Sequence, residues 1–320
     1  MSKDLINQEV TGIYALWWRL VQLSVHRYGS HPTGEMLMVL TIVLLDEAGY
    51  QPTVTELARL VGLPKSTVSR YVASQMSEGF VEECIDPADR RRRRLGPTRA
   101  ARAERAWHLQ QLRAIQAQTF AIVPAGGFRG AAAEEMLELL RSFAAEGPNE
   151  AYDFDGAESA AAADVEVSGQ RFDADVAMTC LLEWRLVDLA VQRYGSAPTT
   201  ALLVVLTLVL LDDVGYSPTV TELAEIAGLP KSTVSRHCAE QMGAGYLTEI
   251  IDPADRRRRR LQATASARRE RRWLREAIER LLRDTGASVH GQRPPSERSA
   301  DEVLGMLRAF VAERPVPPAA

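Results

Sequence analysis

The sequence has few of the features that mark secreted or membrane proteins. It contains three cysteines, at positions 84, 180 and 238, so we expect no disulfide framework and a reducing cytoplasm as the location. The longest apolar runs, at 36–45 and 201–211, are about half of the roughly 20 residues that a membrane span needs. The first ten residues lack the basic segment and apolar core of a secretory signal. These runs therefore predict buried core helices in a cytoplasmic protein, with no membrane partner.

Groupings typical of enzymes are also missing from the sequence. The five histidines are scattered, without metal-ligand spacing or a paired nucleophile: His26, His31, His108, His237 and His290. No glycine-rich phosphate loop is present. We therefore expect a protein that is not an enzyme and that uses no cofactor and no metal.

Charge is unevenly distributed along the chain. The net charge is −4, yet residues 146–175 contain nine acidic residues and one basic residue, so the remainder carries +4. The decapeptide DPADRRRRRL occurs twice, at 86–95 and 252–261. Five consecutive arginines in a strand place cations on both of its faces, and a polyanion would relieve their mutual repulsion. The distribution therefore favours a nucleic-acid partner despite the acidic total.

The chain contains two copies of the same module. At an offset of 166, Trp18 aligns with Trp184 and Trp107 with Trp273, and 31 of 43 positions match between 53–95 and 219–261. A repeat of this length indicates a duplicated domain and not a solenoid. We predict one domain at 1–146, an acidic flexible linker at 147–172 and a second domain at 173–320.

Each copy has the same predicted order of elements. Two long helices come first, at about 5–28 and 33–48 in copy one and at about 173–195 and 198–214 in copy two. The spacing of Thr53 and Glu56 predicts a capping box at the start of a short helix, which Thr219 and Glu222 repeat. Pro64 or Pro230 is then expected at the first position of the following helix.

A β-hairpin and two more helices complete each copy. The helix that follows the proline should run to Gly79 or Gly245, and the arginine run should form the second strand of the hairpin. The predicted fold class is mainly α with small β-hairpin wings. It comprises two tandem winged helix-turn-helix domains that form an intramolecular pseudo-dimer.

The helix after Pro64 is amphipathic. Val68, Val72 and Met76 are spaced to form its buried stripe, which leaves the hydroxyl and basic side chains of PKSTVSR exposed near the helix N-terminus. Cations, short hydroxyls and a helix N-terminus suit an approach to phosphates and base edges. A merely solvated polar face is the alternative reading of this helix alone.

Together, the helix pair and the hairpin resemble the MarR family of winged helix-turn-helix regulators. The resemblance is carried by 53–98, including Asp89, Arg90, Arg91 and Thr98, and it recurs in the second copy at 219–264. It implies a recognition helix in the major groove and a wing arginine in the minor groove. Three departures from the family are the prolines at 64 and 230, Gly96-Pro97 in the first wing, and the fusion of two copies. Family members are usually homodimers of one-domain chains.

The resemblance implies a sequence-specific regulator of transcription, expected to be a repressor. Its partner would be double-stranded DNA, and one chain would read a pseudo-palindromic operator as a monomeric pseudo-dimer. The predicted DNA-binding residues are helix and wing positions of both copies: Pro64, Lys65, Ser66, Thr67, Ser69, Arg70, Arg90, Arg91, Arg92, Pro230, Lys231, Ser232, Thr233, Ser235, Arg236, Arg256, Arg257 and Arg258.

Regulation by a small aromatic effector, such as an aromatic acid, is also implied. In the family the pocket lies where the first helix meets the second and the fifth. The candidate lining residues are Trp17, Trp18, His26, Trp184 and Arg185. Packing at the dimer core is the alternative role of these aromatic residues. Two further alternatives remain open at this point: redox sensing through Cys180, and an architectural DNA binder without an effector.

Overall fold

The computed structural model describes residues 10–86, 88–122, 133–146, 174–289 and 299–315. The predicted linker at 147–172 lies outside the described residues. Within the described parts, no helix is both long enough and apolar enough to cross a membrane.

The two halves share one order of elements. The first half contains α1 (Val10–Tyr28), α2 (Thr33–Glu47), α3 (Val54–Val61), α4 (Lys65–Ser77), β1 (Val81–Ile85), β2 (Arg93–Pro97), α5 (Arg99–Ile122) and α6 (Ala133–Glu146). The second half contains α7 (Ala174–Tyr194), α8 (Thr199–Asp213), α9 (Val220–Ala227), α10 (Lys231–Gly243), β3 (Leu247–Ile251), β4 (Arg259–Ala263), α11 (Ala265–Val289) and α12 (Ala300–Ala312). The described residues are thus mainly helical with two β-hairpins, as the fold class predicted.

Local sequence signals determine where the helix-turn-helix elements begin and end. The hydroxyl of Thr53 accepts a hydrogen bond from the Glu56 N–H, and the Glu56 carboxylate accepts one from the Thr53 N–H, which confirms the capping box. Gly62 ends α3 in the left-handed region at φ 67°, where a β-carbon would be strained. The predicted position of Pro64 was wrong by one residue. Pro64 is extended, at ψ 138°, and precedes the first helical residue as the N-cap.

Each wing is a two-stranded antiparallel sheet. In the first, Val81 pairs with Pro97 and Ile85 with Arg93; in the second, Leu247 pairs with Ala263. Gly96-Pro97 therefore does not disrupt the outer strand. Pro97 is its last residue and lies at a sheet edge, where a missing N–H donor is tolerated.

The two halves are interlocked and do not form separate globules. The first helix of each half packs on the second helix of the other, so that α1 contacts α8 and α7 contacts α2. The last helices also cross over, because α6 packs on α8 and α9 while α12 packs on α2 and α3. Two reciprocal hydrogen bonds of 2.8 Å link the halves in the core, from Trp18 Nε1 to Thr207 Oγ1 and from Trp184 Nε1 to Thr41 Oγ1.

Backbone contacts repeat this reciprocity at the turn between the first two helices of each half. The N–H of Thr33 donates to the carbonyl of Ala197, and the N–H of Thr199 donates to the carbonyl of His31, both at 2.8 Å. The turn of one half is therefore paired with the turn of the other, next to α4 and α10. These two helices, called the reading helices, carry the predicted DNA-binding residues of the PKSTVSR segments, whose exposed side chains form the reading surfaces.

Candidate DNA interface and ligand clefts

The N-terminal turns of α4 and α10 present the same exposed side chains. In α4, Lys65, Ser66, Ser69 and Arg70 are exposed while Thr67 is half-buried, and the same pattern holds for Lys231, Ser232, Ser235, Arg236 and Thr233 in α10. Pro64 and Pro230 are also exposed just before each helix. All twelve helix residues of the predicted DNA-binding set therefore lie on two equivalent surfaces.

The buried stripe of α4 differs in part from the prediction. Val68 and Val72 are buried, but Met76 is 39% exposed, so its assignment to the core was wrong. Tyr71 is buried instead, at a position one helical turn after Val68. Met76 lies in the last turn of the helix, beyond the core against which the first two turns pack.

Tyr71 and its counterpart His237 connect each reading helix to the opposite half. The hydroxyl of Tyr71 lies 2.8 Å from Ser196 Oγ, in the turn between α7 and α8. His237 Nε2 lies 3.0 Å from Thr200 Oγ1, which lies 3.0 Å from Ser30 Oγ of the first half. The orientation of each reading helix is therefore coupled to the packing between the halves.

Aspartates hold the backbone of each wing loop. In the first wing, Asp86 Oδ1 accepts from the N–H of Ala88 at 2.9 Å, and Asp89 Oδ1 accepts from the N–H of Arg91 at 3.0 Å. The second wing repeats both bonds at the same lengths through Asp252 and Asp255. The bond from Ala88, followed by the nearby Arg94 guanidinium, holds the pKa of Asp86 below its usual range.

The last arginine of each run is structural. Arg94 Nε donates to Asp86 Oδ2 at 2.8 Å and Arg94 Nη1 to the carbonyl of Gln51 at 2.8 Å, so this side chain ties the wing to the segment before α3. Arg260 makes the equivalent bonds to Asp252 and Ser217, at 2.6 and 2.9 Å.

The earlier arginines of each run point to solvent. Arg90, Arg91, Arg256 and Arg257 are exposed and have no carboxylate partner among the described residues. Arg92 lies 3.8 Å from Glu56, and Arg258 lies 3.3 Å from Glu222, both about half exposed. Their positive charge is thus partly compensated by the glutamates that cap α3 and α9.

One pair of exposed wing residues was not predicted from the sequence. Ile85 and Ile251 end the first strands of the wings and are 55% and 52% exposed, beside the arginine-bearing strands. Exposed branched aliphatic side chains on a basic hairpin suit contact with the apolar edges of sugars or bases. The detectable signal was an isoleucine that directly precedes the loop aspartate in both copies.

Two large clefts lie behind the reading helices. Cleft one, of about 420 Å³, is bounded by α1, α2, α4 and α5 and receives Glu183 from α7 of the other half. Cleft two, of about 350 Å³, is bounded by the equivalent elements of the second half and receives Thr33 from the first. Both volumes are within the usual range for small-molecule sites.

None of the five predicted pocket residues lines either large cleft. Trp17, Trp18 and Trp184 are at most 1% exposed and belong to the core between the halves, which favours the packing role. Trp184 and Arg185 border a cavity of about 30 Å³, which holds little more than one water molecule. His26 is exposed. Within its own half, the first helix lines the cleft six to ten residues after the tryptophan, at Ser24 and Tyr28 in α1 and at Ala190 and Tyr194 in α7. Trp18 and Trp184 themselves face the partner half.

The structure disfavours the redox alternative. Cys180 is 8% exposed, and burial together with the nearby Glu183 carboxylate raises the pKa of its thiol. A thiol that stays protonated is a poor nucleophile. The described residues contain no group of three or more histidine, cysteine, aspartate or glutamate side chains able to hold a metal ion.

Comparison with known families distinguishes the two halves. Residues 42–83 match the IclR helix-turn-helix domain, and residues 200–258 match the MarR family. No curated protein matches the chain. The expectation of a helix-turn-helix domain in both copies is thus confirmed, with the MarR match in the second copy and a match to a related helix-turn-helix family in the first. Its match stops at β1, before the wing loop and its arginines, whereas the second match extends into the wing loop. The two matches show a DNA-binding regulator of transcription with two helix-turn-helix domains, of which the first is similar to the IclR domain and the second to the MarR family.

Proposed function

We propose that the chain is a cytoplasmic, non-enzymatic repressor that binds a pseudo-palindromic operator as a single-chain pseudo-dimer. The observation that carries the proposal is the equivalence of the two reading surfaces. The segment PKSTVSR is identical at 64–70 and 230–236 and is exposed in the same way in both halves. Domains at 1–146 and 173–320, tethered by 147–172, would then stand in for the two subunits of a homodimer.

Each reading helix supplies groups for both phosphates and bases. Lys65 and Ser66 lie beside the unpaired N–H groups of the first helical turn, where an anion is favoured. Ser69 and Arg70 lie one turn further along the same exposed face and suit base edges in the major groove. The equivalent residues of α10 would read the second half-site.

Each wing offers arginines on a rigid loop. Arg90 and Arg256 follow turns whose backbone is fixed by aspartate, so their side chains project from a defined position. A narrow minor groove attracts an arginine in this setting. Arg91, Arg92, Arg257 and Arg258 would contact phosphates, which add affinity without selecting a sequence.

A small molecule in the clefts would control binding. Both clefts border a reading helix, and each includes a residue of the opposite half. A ligand that prefers one relative placement of the halves shifts the molecule toward that placement. Since the reading helices are coupled to the same interface through Tyr71 and His237, such a shift would change the spacing of the two reading surfaces.

Selection of preferred sites from random duplex DNA tests the operator. The expected result is an inverted repeat with two similar half-sites. Arg70→Ala and Arg236→Ala should then weaken binding to a similar extent, by about 1 to 3 kcal/mol each for a lost base contact. An architectural binder would yield no preferred sequence, and a strongly asymmetric site or a loss from only one variant would contradict the equivalence of the surfaces.

Sedimentation tests the single-chain state. The full chain should sediment as one 35.3 kDa species on dilution to nanomolar concentration and should bind its selected site with one chain per duplex. Obligatory pairing of two chains would contradict the proposal. For the regulatory sign, a reporter promoter that carries the selected site should lose transcription when the chain is expressed, and an increase would identify an activator.

A further inference from the structure

The two clefts differ in their buried carboxylates although the reading surfaces do not. Of the acids that line cleft two, Asp212 and Glu270 are paired with arginines and Glu240 is more than half exposed. In cleft one, the positions that line the apolar space include Glu35, His108 and Glu183. The equivalent positions, at an offset of 166, are Ala201, Leu274 and Trp17. Ala201 and Leu274 line cleft two, which therefore lacks this polar group, whereas Met36, Val39 and Val81 give cleft one apolar walls of the usual kind.

Glu183 is the most unusual group in cleft one. Glu183 is 1% exposed, and neither of its carboxylate oxygens accepts a hydrogen bond from any described residue. The nearest cationic group is His108, whose Nε2 lies 3.5 Å from Glu183 Oε2 without hydrogen-bond geometry. A buried carboxylate without hydrogen bonds is costly, and a cation that donates to it would remove that cost.

The other charged groups around cleft one do not supply that cation. Glu104 is already satisfied by two bonds from Arg27, at 2.8 and 2.9 Å, and one from the Tyr28 hydroxyl at 2.9 Å. Arg105 is paired with Asp46 at 3.4 Å and with Glu47. Glu78 is an exposed lining carboxylate that accepts from Ser74 and Gln75. The carboxylates of Glu35, Glu78 and Glu183 outnumber His108, whose pKa Glu183 helps to raise, so a ligand meets net negative charge in the cleft.

Glu35, on α2, is the second buried carboxylate that lines cleft one. It is 7% exposed and accepts one hydrogen bond, from Gln75 Nε2 at 3.2 Å. Burial raises the pKa of Glu35, and a neighbouring cation would counteract that shift. A bound anion would instead face two buried carboxylates, so the aromatic acids expected from the sequence do not suit this cleft.

We propose that cleft one, and not cleft two, binds an organic cation with an apolar body, such as an aromatic amidine or a hydrophobic amine, with Glu183 as its counter-ion. The proposal rests on the proposed function only for its effect on DNA binding. Glu183 belongs to α7 of the second half, whereas the other walls belong to the first half. A bound cation would therefore connect the two halves at one of the two equivalent positions.

Isothermal titration calorimetry on the full chain tests the ligand class with three probes of equal size. These are 2-naphthamidine, its neutral analogue 2-naphthamide and the anion 2-naphthoate. The amidine should bind once per chain and on the order of tenfold to a hundredfold more tightly than the amide, as expected for a charge-assisted hydrogen bond in a buried site. The naphthoate should bind weakest of the three.

Three variants locate the site. Glu183→Gln keeps the shape of the side chain and should abolish the preference for the amidine over the amide. Glu35→Gln should reduce that preference without abolishing it, which provides a second measurement if Glu183→Gln does not fold by circular dichroism. Glu240→Gln removes an acid that lines cleft two and should leave the amidine affinity unchanged. Equal affinities for amidine and amide, a tighter naphthoate, two amidine sites per chain, or a preference that survives both Glu183→Gln and Glu35→Gln would overturn the proposal.

Failure of this proposal is distinguishable from failure of the proposed function. Operator selection without any ligand tests the DNA-binding role by itself, and calorimetry without DNA tests the cleft. In a combined measurement, saturating 2-naphthamidine should change operator affinity by at least about fivefold, the lower range for coupled sites. An unchanged affinity would overturn the link between the cleft and DNA, whatever the calorimetry shows.

Discussion

Replacement of Arg90 and Arg256 by alanine is the sharpest test of the wings. Both side chains are exposed, and neither has a carboxylate partner among the described residues. The loop backbone around them is held by the aspartates and not by the arginine side chains. The double variant should therefore fold like the wild type and lose affinity for DNA.

The salt dependence of binding gives the size of the expected loss of DNA affinity. An arginine in the minor groove displaces condensed counterions as a neutralised phosphate does, by about 0.9 in the slope of log K against log salt, so the loss of two should reduce the slope by about 1.8. Over a fourfold change in salt, between about 50 and 200 mM, that difference corresponds to about tenfold. The ratio of wild-type to variant affinity should thus shrink by about tenfold across this range.

Fluorescence anisotropy with labelled operator DNA measures both slopes. The control is Arg141→Ala with Arg308→Ala, which removes the same charge from exposed positions on α6 and α12 and should leave the slope within about 0.5 of the wild type. Parallel salt plots for wild type and the wing variant would exclude both arginines from contact with DNA, because they would mean that neither arginine displaces a counterion.

Three predictions concern the interface between the halves. Trp184→Phe deletes the buried hydrogen bond to Thr41 and should lower the free energy of unfolding by about 1 to 3 kcal/mol in urea titrations; a neutral effect would show that this bond is dispensable. Arg314→Ala removes the two bonds that Arg314 donates to the buried carboxylate of Asp188, at 2.7 and 2.9 Å, and leaves it only the bond from Gln192. It should lower the free energy of unfolding by about 3 kcal/mol. Adding Asp188→Asn should recover most of that loss; no recovery would exclude the charge argument. Burial lowers the pKa of His108, but the adjacent carboxylates outweigh burial and raise it overall. The stability that His108 contributes is thus fully present below its unfolded pKa of about 6.5 and is lost as pH rises through the folded pKa. The stability of wild type relative to His108→Leu should decline over that range, and a pH-independent difference would contradict the assignment.

Local signals in the sequence predicted the helix-turn-helix elements well. Thr53 with Glu56 and Gly62 specify where α3 begins and ends through contacts within a few residues, and the structure contains both. The wing also follows from local chemistry, because its aspartates bond to backbone groups only two residues away. Such signals need no knowledge of distant parts of the chain.

The clefts could not be located in this way. Glu183 is in the second half of the sequence but lines the cleft of the first, and Thr33 does the reverse. The tryptophans were natural pocket candidates, yet Trp18 and Trp184 face the opposite half and bond to it across more than 140 residues. Helical periodicity shows that a face is apolar but does not show which of two apolar partners covers it.

The crossing of the last helices bears on how the protein is made. The partners of α6 are α8 and α9, and those of α2 include α7 and α12, all of which are synthesised later. At roughly 5 to 20 residues per second, the about 170 residues between α6 and the end of α12 take on the order of 10 to 30 seconds to translate. Until α7 and α8 emerge within that interval, the apolar faces of α1 and α2 lack their second-half partners, and α12 can complete the core only at its end. The nascent first half should therefore be a client of ribosome-associated chaperones, and a stop after residue 146 should yield an aggregating fragment and not a working half.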